Sequence, residues 1–213
     1  MKKYKRYFQK ALQKHFPDRA AGLQAATEET FGSIQGDIAF SKRSKNPIDR
    51  RMEIAGYFLA TVMVLDKEKV DYETIRNILL EIACDYVRPK NQLQVFLKRL
   101  PAKLLGTKLA TILLAQFDAK VRTKGHPAGF MAHILTKKEE RPGFIYGFDI
   151  MECGICKLFA KHHYQKFVPI LCEVDHITSN LAGLSLTRTG TIANGAAKCD
   201  FRFTKISATS APE

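Results

Sequence analysis

The sequence predicts an α+β protein in which an N-terminal helical layer packs on a small C-terminal antiparallel sheet that carries a long helix. Three observations lead there. Apolar residues recur at helical spacing up to about residue 124, the spacing changes after Lys124, and a period of two appears near the C-terminus. The 213 residues, 46% of them apolar, suit one compact unit with a core that needs no covalent staples. The predicted divisions are a helical region, 1–124, an α/β region bearing the site, 125–206, and a small polar, disordered tail, 207–213.

The first helix carries Tyr4, Phe8 and Leu12 on its apolar face, and its polar face holds the acid-free basic run from Lys2 to Lys14. Asp18 is placed to cap a helix running through Phe31, which Gly32 to Gly36 should break. Asn46-Pro47 supplies a cap followed by proline in the first turn, ahead of a mostly buried helix from Ile48 to about Leu65. Asp71 should cap the next helix, where Ile75, Ile78, Leu79, Ile82 and Tyr86 recur at helical spacing and Pro89 ends it. Leu93, Phe96, Leu97, Leu100, Leu104, Leu105, Leu109, Ile112, Leu113 and Phe117 mark a further helical stretch, separated or kinked at Pro101.

Gly125-His126-Pro127 breaks the helical pattern. Strands are expected over 130–136 and 144–151, joined by the charged turn 137–143 that ends in Pro-Gly. A helix should follow from Cys156 to about Leu181, then a strand from Leu184 to Thr189. Across 198–205, Cys199, Phe201 and Phe203 alternate with polar residues, the period of a half-buried strand.

No apolar run reaches the roughly 18 residues of a membrane span, and no apolar segment follows the basic N-terminus as in a secretory signal, so a cytoplasmic location and no membrane partner are expected. Of the five cysteines, Cys153, Cys156, Cys172 and Cys199 cluster late in the chain. In a reducing compartment this suggests thiol or metal chemistry rather than a disulfide framework. The net charge of +13 is spread along the chain without a helix-turn-helix, zinc-finger or RNA-binding aromatic motif, so nucleic acid is not the expected partner.

Cys153-Gly154-Ile155-Cys156 between a strand and a helix begins as a thioredoxin-type redox site does, but the only later prolines, Pro169 and Pro212, do not supply the cis-proline such a site needs. A zinc ribbon would need a second such cysteine pair. Cys172, Asp175 and His176 share one helical face, where a thiol, a carboxylate and an imidazole suit either zinc binding or acid/base chemistry, and Cys199 could complete that group. Arg188 has the fork geometry to hold a carboxylate. Gly190, Asn194 and Gly195 permit turns or close backbone approach. His162 and His163 point to different faces and are not expected to act together.

Three stretches, taken in order, resemble the L-2-amino-thiazoline-4-carboxylic acid hydrolase family. They are Gly147-Phe148-Asp149-Ile150 with Glu152, Cys153 and Cys156; then Leu171-Cys172 with Asp175; then Leu186 to Ala193 with Cys199-Asp200-Phe201-Arg202. The family is also distantly similar to 4-vinyl-reductase-type ligand-binding domains, some of which hold zinc through cysteines and a glutamate. At the corresponding positions this chain has Thr191 and Arg188 instead, and metal ligands remain unassigned.

The resemblance implies opening of a cyclic isothiourea bearing a carboxylate, giving a carbamoyl-cysteine, with no cofactor required and zinc left open. It further implies Glu152 or Asp175 as acid/base and Cys172 as nucleophile, with activated water as the alternative to a thiol. Arg188 would anchor the substrate carboxylate, Thr191 and Asn194 would orient the substrate, and Cys199 would line the pocket. The competing reading is a non-enzymatic module that senses a small ligand or zinc. Either reading leaves a homo-oligomer open.

Overall fold

The computed structural model describes residues 3–104, 107–123, 125–137 and 140–206. Among them are eight α-helices and one four-stranded antiparallel sheet of order β1-β2-β4-β3. The expected α+β architecture is present. The expected tail, 207–213, lies outside the described residues.

Helix α1 (Lys5–His15) buries Phe8, Ala11 and Leu12, and Arg6, Lys10 and Lys14 of its basic run are exposed on the opposite side, while Lys5 is half-buried in an ion pair with Glu28. Helix α2 (Ala20–Ile38) departs from expectation at both ends. Arg19, not Asp18, is the cap residue, and the helix runs straight through Gly32 and Gly36. Each glycine costs roughly 1 kcal/mol relative to alanine. Burial of Phe31, Ile34 and Ile38 outweighs that, at about 1.5–3 kcal/mol per side chain.

Asn46 caps a 3₁₀ turn, Pro47–Arg51, by accepting from the Ile48 N–H (3.0 Å), and the turn leads into the nearly all-buried α3 (Met52–Lys67). Asp71 caps α4 (Tyr72–Val87) through the Thr74 N–H at 2.9 Å. Proline 101 sits inside α5 (Gln92–Leu104), and Thr107 caps α6 (Lys108–Arg122) by accepting from the Ala110 N–H.

Two buried carboxylates fasten the helices to the first strand. Asp49 accepts from the Phe130 N–H (2.8 Å) and the Ser44 hydroxyl (2.5 Å). Asp118 on α6 accepts from the Ile134 N–H at 2.5 Å. They hold the 3₁₀ turn and α6 against β1 (Met131–Ile134), which pairs with β2 (Tyr146–Glu152).

The single helix expected from Cys156 to Leu181 is two helices. Helix α7 (Gly154–Lys161) ends at His163, whose φ of +64° takes the chain out of right-handed helix. A 3₁₀ turn, Gln165–Phe167, precedes α8 (Val168–Leu181), with Pro169 in its first turn where a missing N–H costs nothing. His162 meets Asp37 on α2 at 2.8 Å, so the two histidines part as expected. Gly183, at φ +77°, turns α8 into β3 (Leu184–Thr187), and β4 (Cys199–Lys205) closes the sheet. One apolar cluster runs from Phe8 on α1 to Phe203 on β4, so the helical layer and the sheet share a core.

Candidate active site

The β2–β4 register sets Tyr146 opposite Phe203, Phe148 opposite Phe201 and Ile150 opposite Cys199. These six side chains therefore share one face of the sheet. Phe148 stacks on Phe201 with ring centres 4.4 Å apart, and Tyr146 on Phe203 at 5.4 Å. Burial pushes the Tyr146 hydroxyl up to about 12, opposed by the charge of Arg51.

Arg188, one residue past β3, lies over this aromatic floor, its guanidinium carbon 5.0 Å from the centre of the Phe201 ring. Only 8% of its side chain is exposed. One guanidinium nitrogen donates to Asp175 Oδ2 at 2.9 Å and the other to the Cys172 carbonyl at 3.1 Å, so the loop after β3 is tied to α8. Burial raises the Asp175 carboxyl above the ordinary range, and the charge and hydrogen bond of Arg188, then Arg51, work against that rise. Arg51 ends the 3₁₀ turn ahead of α3 and is exposed; it forms no ion pair or hydrogen bond with the described residues.

The four late cysteines sense one another electrostatically, and all four thiols are free. Cys153 caps α7. The thiol of Cys156, one turn on, is the largest influence on it; burial opposes, the N–H groups of Cys156 and Ile155 assist, and its pKa falls to about 7. Cys156, as the donor in that contact, is pushed up. Burial and then the Asp175 carboxylate lift Cys172 to about 12. Cys199 is buried and also raised, chiefly by burial, and its sulfur accepts from the Ile192 N–H at 3.2 Å. Glycine is needed at 154, because a Cβ there would lie 2.7 Å from Met52 Sδ and 3.1 Å from the Ala128 carbonyl. That close approach sets the Cys153 turn against the head of α3, next to Arg51.

The structure thus brings Asp175, Cys172, Arg188 and Cys199 together, and adds Cys153, Cys156 and Arg51. The other expected residues stand differently. Glu152, at the end of β2, forms an ion pair with Lys157, which also donates to the Pro127 and Gly129 carbonyls. Thr191 is buried and caps the short turn Ile192–Asn194 by accepting from the Asn194 N–H at 3.2 Å. Asn194 is exposed on that turn, just before Gly195 at φ +87°. These two shape the loop, and neither side chain is directed at the thiols by a hydrogen bond.

Asp200 is the loop's organiser, which motif reading alone does not reveal. Its carboxylate accepts from the N–H (2.9 Å) and hydroxyl (2.8 Å) of Thr189 and from the Gly190 N–H (3.0 Å). Burial raises its pKa, but these bonds outweigh it and leave the carboxyl below the ordinary range. Its cross-strand partner Asp149 is neutralised by Lys198 at 2.6 Å and by Arg202 at 2.8 Å, the latter without the alignment of a hydrogen bond. Asp200→Ala is expected to cost about 1–2 kcal/mol, the loss of several charge-assisted bonds to partly exposed donors. Thermal melting reads this as a lowered Tm, and an unchanged Tm would show that the loop holds without it.

Among the described residues, no three His, Cys, Asp or Glu side chains converge as metal ligands. Two open hollows, of about 490 and 580 Å³, lie elsewhere. The first is lined by Arg6, Tyr7, Lys10, Asp85, Arg88 and Lys90, the second by residues of α1, α2 and the head of α3. Neither holds a thiol or a carboxylate–arginine pair like the one on the sheet face, so the cluster there is the better candidate for chemistry.

A half-buried carboxylate–arginine pair beside a thiol of lowered pKa, on an α+β scaffold, has groups able to exchange protons and to act as a nucleophile. The model of one family, L-2-amino-thiazoline-4-carboxylic acid hydrolase, matches residues 51–203, well over half of the chain. The chain belongs to that family. No curated protein and no solved structure matches it.

Proposed function

We propose that the chain opens a small cyclic isothiourea or amidine bearing a carboxylate, such as 2-amino-thiazoline-4-carboxylate, at the sheet face beneath α7 and α8. The observation that carries this reading is the meeting of Cys153, at the head of α7, with the Asp175–Arg188 pair, beside Arg51, which has no ion pair or hydrogen bond among the described residues and acts electrostatically on Asp175. The electrophile is the ring carbon between nitrogen and sulfur. Protonation of the ring nitrogen activates it, and Asp175, held above the ordinary carboxyl range, is suited to share that proton.

The Cys153 thiolate then adds to the ring carbon. Expulsion of the ring sulfur leaves an isothiourea linked through Cys153, and expulsion of the ring nitrogen leaves an iminodithiocarbonate linked through it; either leaving group takes up a proton. Water adds to the same carbon and the Cys153 thiolate leaves, so that the net change is one water added and one ring bond broken. Cys172 is less suited to this step than Cys153, since its thiol at about 12 stays protonated near neutrality.

Arg188, with both terminal nitrogens engaged, orients Asp175. Arg51, whose charge already acts on Asp175, is better placed to take the substrate carboxylate. Glu152 remains a second acid/base candidate at the rim, and Cys199 a wall of the site. Purified protein incubated with the thiazoline is expected to yield a carbamoyl-cysteine by mass spectrometry. Folded protein that releases no such product at any pH between about 5 and 9, a span on either side of neutrality, would end the reading.

A further inference from the structure

Helices α5 and α6 are amphipathic, but each turns its large apolar side chains outward. On α5, Leu93, Phe96, Leu97 and Leu104 are 46–65% exposed, while Ala102 is the residue that meets the body. On α6, Leu109, Ile112, Leu113 and Phe117 are 38–66% exposed, while Asp118 and Val121 face β1. Exposed apolar surface of this extent marks a contact with something outside the chain.

Charge identifies that something. Residues 88–124 contain nine lysines and arginines and one acid, so this segment holds eight of the chain's thirteen excess positive charges. Its one acid, Asp118, is buried and consumed by the Ile134 N–H and Arg122. Arg99 and Lys103 are exposed beside the α5 stripe, and Lys120 lies one turn beyond the α6 stripe. Arg88 and Lys90, immediately before α5, help line the basic 490 Å³ hollow with Arg6 and Lys10.

Two copies meeting through such segments would set like charges against each other. A nucleic acid would satisfy the cations but leave the leucines wet. An anionic phospholipid surface satisfies both, with headgroups on the cations and acyl chains on the apolar stripes. No helix among the described residues is long and apolar enough to cross a membrane, which accords with helices lying in its surface.

We infer that α5 and α6 dock the protein on anionic phospholipid membranes, independently of the reaction proposed above. The test is co-sedimentation of the full chain with vesicles. Binding is expected to vesicles of equal parts phosphatidylcholine and phosphatidylglycerol, not to pure phosphatidylcholine, and should weaken at about 0.5 M salt, where screening reaches within roughly 5 Å. Leu97→Glu with Ile112→Glu, both at exposed positions, should abolish binding while the circular dichroism and Tm stay those of the parent. Arg99→Gln, Lys103→Gln and Lys120→Gln together should lower the partition coefficient about a hundredfold, near fivefold per charge. The inference is overturned if the folded protein ignores anionic vesicles or binds neutral ones equally. It is also overturned if light scattering finds a dimer that the Leu97→Glu, Ile112→Glu variant dissolves, since a second copy would then be the occupant.

Discussion

Cys153→Ser is expected to lower kcat/KM for ring opening by on the order of a thousandfold or more, whereas Cys172→Ser should retain most of the activity. The contrast follows from what surrounds each sulfur. Cys153, drawn below the ordinary thiol range chiefly by the Cys156 thiol, carries more thiolate at neutral pH than an unperturbed cysteine. A thiol at about 12 is ionised in only about one molecule in 10⁵. Cys153 owes its position to the Cys156 thiol and the amides of the first turn of α7, against the pull of burial, while Cys172 sits among apolar atoms beside a carboxylate that repels a second negative charge.

Serine preserves the size of either side chain but cannot form an anion in this range, so the fold stays and the nucleophile goes. The sign of the pH dependence follows: kcat/KM of the parent should rise with pH through about 7 as Cys153 loses its proton, and iodoacetamide should alkylate Cys153 along the same curve. Full activity in Cys153→Ser would remove the thiol from the mechanism and favour direct attack by water on a ring activated by Asp175.

Local signals carried much of the fold. The alternation of Cys199, Phe201 and Phe203 identifies β4, and the caps Asn46 and Asp71 place two helix starts, because a strand's period and a cap's hydrogen bond are both short-range. The misreadings came where tertiary packing overrode such signals. Glycine propensity suggested a break at Gly32, but the burial of Ile34 and Ile38 lies in contacts a local window does not contain. The break between α7 and α8 rests on a non-glycine residue, His163, in the left-handed region, with Pro169 as its only textual sign.

At the site, the residue set was more legible than the roles. Asp175 and Arg188 read as an acid/base and an anchor; that they are each other's partner depends on Gly183 folding β3 back along α8. The sequence placed the nucleophile at Cys172, and the position of Cys153 between a strand and a helix registered there only as the start of a redox motif. Arg51 gave no signal of its own, since only the packing of Met52 on Gly154 brings it near.

The Asp175–Arg188 pair separates catalysis from stability, and two substitutions should show it. Asp175→Asn keeps the shape and a hydrogen-bond acceptor for Arg188 but has no proton to exchange; a loss of about 10²–10⁴ in kcat is expected with a modest change in Tm. Arg188→Met keeps the packing over Phe201 but strands a carboxylate whose side chain is 30% exposed. Water reaches it in part, so the cost should be about 2–3 kcal/mol, toward the low end for breaking a buried pair.

The pH dependence of stability carries a sign that distinguishes the two variants. Because the folded Asp175 carboxyl is raised, folding takes up a proton there once pH exceeds the unfolded value of about 3.9. Stability therefore falls as pH rises from that value through the folded pKa, and is flat above it. Asp200, lowered in the fold, acts oppositely: its contribution is present above the unfolded pKa and is lost as pH falls through the folded one. Asp175→Asn should remove the first slope and leave the second. Arg188→Met, by withdrawing the charge that opposes the rise, should carry the first slope to higher pH. Urea melts across about pH 3 to 8 measure both. If Arg188→Met left that slope where the parent has it, Arg188 would not be governing the Asp175 proton, and the pairing seen across α8 and the loop after β3 would have no part in setting the acid.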